Sequence, residues 1–326
     1  MILSYCNDGY CFKGLVYPAL QCMIARWAPP SEKGKFVGAL MGNTLGTCMT
    51  WPIVGTITQA YGWAWGIYFI SIQMVVYCVI FWFVAADSPD THPRISDEEK
   101  NFIIESQGGA AVPPYKDIFF SLPFWALAIL HIGNLWGLYL QLQGIPKFLG
   151  QVVGFDLRSS GGLAALPHLM RLICGTMFGI LGDYLKKNDY SNKCVRKFFV
   201  LFSHIIPGIA LIAISFCGCN WVPIVVLLII SMSINGAAVL TNLQNPQDLA
   251  PNFAGTIFGI ISFLGGMTGF ITPAITGALT QENNGIKEWG WNFVIGGGVY
   301  IGCGLVFLLI GVTERQPWNE KKDDQQ

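Results

Sequence analysis

Apolar runs of about 20 residues, the length a helix needs to cross a bilayer, recur along nearly the whole chain between short polar and charged connections. Nine are distinguished, near 2–26, 36–60, 64–86, 120–143, 161–183, 197–218, 222–244, 254–279 and 291–313. Their length predicts helices rather than buried strands. Gly38, Gly42 and Gly46, spaced four apart, predict a seam along which a second helix packs closely. The pattern also repeats. A shift of 221 positions sets Pro30 on Pro251, Gly34 on Gly255, Gly38 on Gly259 and Pro52 on Pro273 without a gap. The aromatic-Gly-Trp turn Tyr61-Gly62-Trp63 is answered by Trp289-Gly290-Trp291. Duplication of a multi-helix unit explains the matches.

The connections divide by charge. Arg26, Lys33 and Lys35, then Arg94, Lys100 and Lys116, then Lys186, Lys187, Lys193, Arg196 and Lys197, and finally Arg315, Lys321 and Lys322 fall on one side of the spans. That side is expected to be cytoplasmic. The opposite connections hold Lys147, Arg158 and Lys287 and are marked by Tyr61, Trp63, Trp65, Trp221, Trp289 and Trp291. The longest connection, 87–116, carries Ser96 three residues before Glu99, a capping signature that predicts a short surface helix.

Composition fixes the solvent. The 326 residues are 53% hydrophobic and 12% charged, with mean hydropathy +0.50, whereas a soluble domain carries about 25% charged residues. The lipid bilayer is therefore the expected surrounding. Nineteen basic and nineteen acidic residues balance, and no basic patch interleaved with aromatics suggests nucleic acid as a partner. Of the ten cysteines, Cys22, Cys48, Cys78, Cys174 and Cys303 lie inside apolar runs as small hydrophobes. The Cys217-x-Cys219 pair lacks the second pair that a zinc site needs, so no metal is expected. Enzyme motifs of the HExxH, GxSxG and GxxxxGK[ST] types are missing from the chain.

Nine spans would put the amino terminus outside without a signal peptide, and the repeat implies roughly 105 further residues, three spans at bilayer thickness, ahead of Met1. The expected plan is six helices plus six: an incomplete first half over 1–86, a cytoplasmic connection over 87–116, a second half over 117–313 and a cytoplasmic tail over 314–326. Five motifs then carry a narrower likeness: Tyr17-Pro18-Ala19, Arg26-Trp27-Ala28-Pro29-Pro30-Ser31-Glu32, Ala165-Leu166-Pro167-His168-Leu169, Asn245 with Asp248-Leu249-Ala250-Pro251, and Glu314-Arg315-Gln316-Pro317-Trp318. In this order and spacing, from about Gly14 to Trp318, the chain resembles the anion:cation symporters of the major facilitator superfamily. That family includes sialin, vesicular glutamate transporters and sodium–phosphate cotransporters. The resemblance implies an all-α bundle of two pseudo-symmetric halves, with these nine spans the fourth to twelfth of twelve. It also implies transport of a small anion, inorganic phosphate or an organic carboxylate, with sodium or a proton as co-transported cation and no other cofactor. The chain is expected to act as a monomer in a plasma, lysosomal or vesicular membrane. A transport-inactive fragment is the second reading, and a nine-span membrane enzyme or channel the third.

Ionisable side chains at membrane depth are costly unless they face protein or water, which makes them candidates for substrate contact. Lys13 sits mid-span one turn before Tyr17, offering charge to an anion or pairing with an acid. Lys13 stands where the family often has glutamate. Cys6 falls where many members carry arginine, and Asn134 where some relatives place an anion-binding arginine. His131 and Asn134 share a span with Tyr139 and Gln143. Asn134 serves either the site or a helix seam. His168 and Arg171 lie three apart, on one face of the next span, and Arg171 requires a cavity or a buried partner. Asn245 completes the substrate-binding set. Gly179-Ile180-Leu181-Gly182-Asp183, followed by Lys186 and Lys187, resembles the facilitator loop signature and makes Asp183 a gating candidate beside the helix at Ser31–Gly34. Asp248 is a second gate candidate, or else a cap for the helix after Pro251. No acidic residue lies mid-span, so coupling falls to absent helices, histidines or sodium.

Overall fold

The computed structural model describes residues 42–86, 88–107, 113–218 and 220–319, with Met23, Trp27 and Ala28 ahead of them. Everything regular in these residues is helical. Such a fold pairs each backbone N–H and C=O inside its own segment, as an apolar solvent demands. The long helices are α1 (Gly42–Tyr61) and α2 (Trp63–Val84), the surface helix α3 (Asp97–Gln107), then α4 (Leu122–Phe148) and α5 (Leu157–Lys187). They are followed by α6 (Asn192–Ile214), α7 (Trp221–Asn235), α8 (Ala254–Gly266), α9 (Thr268–Thr280) and α10 (Ile286–Ile310).

Seven helical stretches among the described residues are long and apolar enough to cross a membrane: Trp63–Val84, Leu122–Val153, Gly162–Lys187, Asn192–Ile214, Trp221–Leu249, Pro251–Thr280 and Ile286–Ile310. The chain is a multi-pass integral membrane protein. The expected count of nine is therefore not reproduced in full. The span near 2–26 lies almost wholly outside the described residues, and the span near 36–60 is described only from Gly42, as the 20-residue α1, which is not among the seven. The connection after α2 stays outside the set of spans. Ser96 Oγ accepts from Glu99 N–H at 3.2 Å to cap α3, and Lys100 pairs with Asp90 at 3.3 Å.

Two expectations are corrected. The Tyr61-Gly62-Trp63 turn is real, with Gly62 at φ +93° separating α1 from α2. Trp289-Gly290-Trp291, however, lies within α10. Trp289 is fully buried, its indole N–H donating to Asn284 Oδ1 at 2.8 Å, and Gly290 admits Ser215, whose hydroxyl donates to the Gly290 carbonyl at 3.2 Å. That glycine serves a helix crossing rather than a turn. The expected glycine seam also moves. Gly42 and Gly46 are exposed with no described neighbour, and Gly38 lies outside the described residues. The close crossings are at Gly208 on Gly297, joining α6 to α10, and at Gly236 on Gly175, joining the end of α7 to α5.

Helix α1 packs most extensively on α5, and α4 on α10, with α7 between α5 and α6. Along α4 the core divides into layers. Phe124, Leu127 and Ala128 join Ile257, Phe258 and Leu249 at one end, while Leu140, Ile145 and Phe148 join Leu211, Trp289 and Phe293 at the other. His131 and Asn134 lie between them, buried. Helix α2 is exposed along nearly its whole length, as a lipid-facing helix is, with Trp82 84% exposed.

A methyl added at Gly236 would stand 2.7 Å from Gly175 N and 2.8 Å from the Arg171 carbonyl, both backbone atoms that cannot step aside. Gly236→Ala is expected to cost about 1–3 kcal/mol, the usual range for overpacking, read as a lowered melting temperature in detergent. Gly302→Ala, which meets nothing within 4 Å, is expected to leave the melt unchanged or raise it. Equal melts for both variants would refute the backbone contact.

Candidate functional site

Arg171 lies about ten residues inside the apolar stretch Gly162–Lys187, four positions after the helix-interior Pro167. A guanidinium at that depth needs polar partners from neighbouring helices. Its Nε donates to Asn235 Oδ1 at 3.1 Å, and its Nη1 donates to Thr44 Oγ1 of α1 at 3.4 Å. His168, one turn earlier on the same face, is buried.

From Asn235 the network spreads to α4 and α6. Its Nδ2 donates to Asn134 Oδ1 of α4 at 3.0 Å and to the Ser203 carbonyl of α6 at 2.8 Å. His204 Nε2 lies 2.9 Å from the Leu130 carbonyl, which only accepts, so that nitrogen carries the proton. Nδ1 is then left to accept from Ser203 Oγ at 2.8 Å. Thr241 Oγ1 lies 2.7 Å from Asn242 Oδ1 and 3.2 Å from Ser203 Oγ, and its single proton serves one of them at a time. Asn134, Ser203, His204, Asn235, Thr241 and Asn242 are all buried. Such a network is costly unless satisfied and rigid when it is.

Tyr139 packs its ring against Gly269 of α9. Asn245 is fully buried in a short helix, Asn245–Leu249, beyond the end of α7, and neither of its amide atoms has a hydrogen-bond partner among the described residues. Lys13 and Tyr17 lie outside the described residues. A groove along α2, lined by residues such as Ile70, Met74, Cys78 and Trp82, is apolar and carries none of the predicted residues.

A second polar cluster occupies the basic end of the bundle. Arg196, fully buried near the start of α6, donates from Nε to Asp248 Oδ2 at 2.7 Å and from Nη1 to Gln244 Oε1 at 2.9 Å. Lys186 Nζ donates to the same Gln244 oxygen at 3.3 Å. Asp248 therefore partners Arg196 rather than capping the helix after Pro251, which corrects that alternative. The short helix at Pro251–Phe253 has no side-chain cap. Asp183 is exposed near the end of α5, and the Ser31–Gly34 segment expected beside it lies outside the described residues.

Sequence reading passed over Asn235, Thr44, Ser203 and Gln244. A faint signal existed for Asn235, the last residue of an apolar run immediately before a glycine. For the others no spacing rule links positions so far apart in the chain.

The model of the Major Facilitator Superfamily matches residues 9–273. The chain is 31% identical over 312 residues to the sialin of Ovis aries, an alignment covering 94% of this chain and 63% of that protein. It is 30% identical over 326 residues to a putative inorganic phosphate cotransporter of Drosophila ananassae, covering 96% and 68%. It is 29% identical over 323 residues to vesicular glutamate transporter 2.2 of Danio rerio, covering 95% and 54%. The chain thus spans less than two thirds of the length of that sialin.

Removing one partner of a buried ion pair leaves the other charge stranded, whereas removing both does not. Arg196→Met is expected to lower stability by about 3 kcal/mol, and the double change Arg196→Met/Asp248→Leu to recover a large part of it. Thermal unfolding of the three proteins checks this, and a double variant no more stable than Arg196→Met would refute it.

Proposed function

The chain belongs to the Major Facilitator Superfamily, and from that premise we propose that it is a secondary transporter of a small anion, working by alternating access of its two halves. The observation that carries the reading is Arg171, a cation at membrane depth held by Asn235 of α7 and Thr44 of α1. An anion that leaves water needs compensating charge and hydrogen-bond donors. A guanidinium offers both in a planar fork suited to carboxylate and phosphate. Relatives named as a putative inorganic phosphate cotransporter and a vesicular glutamate transporter support either class of anion. Sodium or a proton is the co-transported cation, and no enzymatic step or further cofactor is part of the proposal.

In this proposal residues 1–86 form the first half, 87–116 the connection, 117–313 the second half and 314–326 the tail. Arg171 and His168 contact the anion, Asn134 sets the surrounding network, and Lys13, Tyr17, Tyr139 and Asn245 complete the path on either side. The Arg171–Thr44 contact joins α1 of the first half to α5 of the second, so movement of the halves changes what Arg171 touches. That is the coupling alternating access requires. Asp183 and Asp248 are the proposed gate residues at the basic end, where the Arg196–Asp248 pair ties α6 to the segment after α7.

Purified protein in proteoliposomes, given radiolabelled inorganic phosphate or glutamate under sodium and proton gradients, tests the proposal. Uptake per inserted molecule is expected to fall at least about tenfold in Arg171→Gln, the scale of one lost charged hydrogen bond, and to persist in part in Arg171→Lys. Unimpaired uptake by Arg171→Gln would remove Arg171 from the site.

A further inference from the structure

Asn235 is the one side chain described that touches Arg171, Asn134 and the backbone of α6 at once. Its amide has only one workable orientation. The Ser203 carbonyl can only accept and Arg171 Nε–H can only donate, so exchanging Oδ1 and Nδ2 would set like against like on both sides. Asn134 must then present Oδ1 to Asn235 Nδ2. The Ser203 carbonyl is itself in need. In an α-helix it would accept from the residue four positions on, which here is Pro207 and has no N–H. Asn235 supplies a donor in its place, at a π-helical turn over Leu201–Ile205.

The backbone beside Asn235 is equally fixed. Gly236 lies so close to α5 that even a methyl there would overlap Gly175 N and the Arg171 carbonyl. The residue that receives Arg171 Nε is thus registered against the very turn from which Arg171 arises. Holding Nε fixes the plane of the guanidinium, and that plane decides where both Nη groups reach at the boundary between α1 and α5.

We propose that Asn235 is a positioning residue for the anion site: it fixes the plane of the Arg171 guanidinium and ties that orientation to α4 and α6. The proposal rests on the reading of Arg171 as the anion contact. It also predicts why an amide is required. Aspartate in the same place accepts from Arg171 but offers no donor to the Asn134 and Ser203 oxygens, and its own charge competes with the anion. Alanine withdraws one hydrogen bond from each of the three partners.

The test follows Arg171 directly. Full-length protein in detergent is treated with phenylglyoxal, which condenses with accessible guanidinium groups, and the Arg171 peptide is quantified by mass spectrometry with and without inorganic phosphate or glutamate. Wild type, Asn235→Ala and Asn235→Asp are compared, alongside KM and maximal uptake per inserted molecule in proteoliposomes. Modification of Arg171 is expected to quicken several-fold in Asn235→Ala and to slow in Asn235→Asp. KM is expected to rise about tenfold in both, in the alanine variant from one lost charged hydrogen bond and in the aspartate variant from the competing charge, with maximal uptake changed less. The aspartate is isosteric, so it reports even where the alanine cavity prevents folding. Wild-type modification rates in the variants that fold, or lowered maximal uptake at unchanged KM, overturn the proposal. Altered variant rates without protection of wild-type Arg171 by either anion overturn the anion-contact reading instead, and leave the hold of Asn235 on Arg171 standing.

Discussion

A guanidinium inside an apolar span must be solvated by protein, and α1, α4, α6 and α7 meet around that requirement. Arg171 meets the amide of Asn235 and the hydroxyl of Thr44. Delivering that amide requires α7 to end against the middle of α5, and two bare backbones at Gly236 and Gly175 let it come so close. The same amide repairs the carbonyl orphaned by Pro207. Charge, helix end, glycine crossing and proline thus form one chain of dependence. Removing the Asn235 amide withdraws a partner from each group it bonds, which costs more than the bond itself contributes.

The apolar layers on either side make this polar zone discrete. Phe124 and Phe258 close it toward the basic end, and Leu140, Trp289 and Phe293 toward the other. Arg196 is handled differently. It is also fully buried, but it sits where α6 begins and meets a carboxylate and the Gln244 amide. A pair of that kind fixes helix ends relative to one another, whereas the network at Arg171 gathers neutral polar groups from four other helices.

Much of the architecture was legible in the sequence because a bilayer leaves few options: a 20-residue apolar run becomes a helix. Ser96 and Glu99 announced the surface helix for an equally local reason. Arg171 was recognisable as a residue needing a buried partner, since its cost is intrinsic. Its partner was not, because Asn235 lies 64 positions away and no periodicity connects them. Two local signals misled. Glycines spaced four apart permit a close crossing without saying which crossing is used, and among the described residues the backbones meet at Gly175, Gly208, Gly236 and Gly297 rather than at Gly42 and Gly46. An aromatic-Gly-aromatic triplet reads as an interfacial turn when the glycine only makes room for Ser215.

The carboxyl-terminal motif has a consequence of its own. Asn252 N–H donates to Asn319 Oδ1 and Asn252 Nδ2 to the Asn319 carbonyl, both at 3.0 Å, while Gln316 N–H donates to the Leu249 carbonyl at 2.9 Å. Trp318 packs on the apolar cluster around Phe253. During synthesis on the ribosome the segment from Leu249 to Asn252 emerges 67 positions before Asn319. Through the making of α8, α9 and α10 its polar groups stay without these partners. The segment Gln316–Asn319 therefore acts as a clasp that shuts after α10 is made, and this corner of the bundle reaches its final packing only after α10 has entered the membrane.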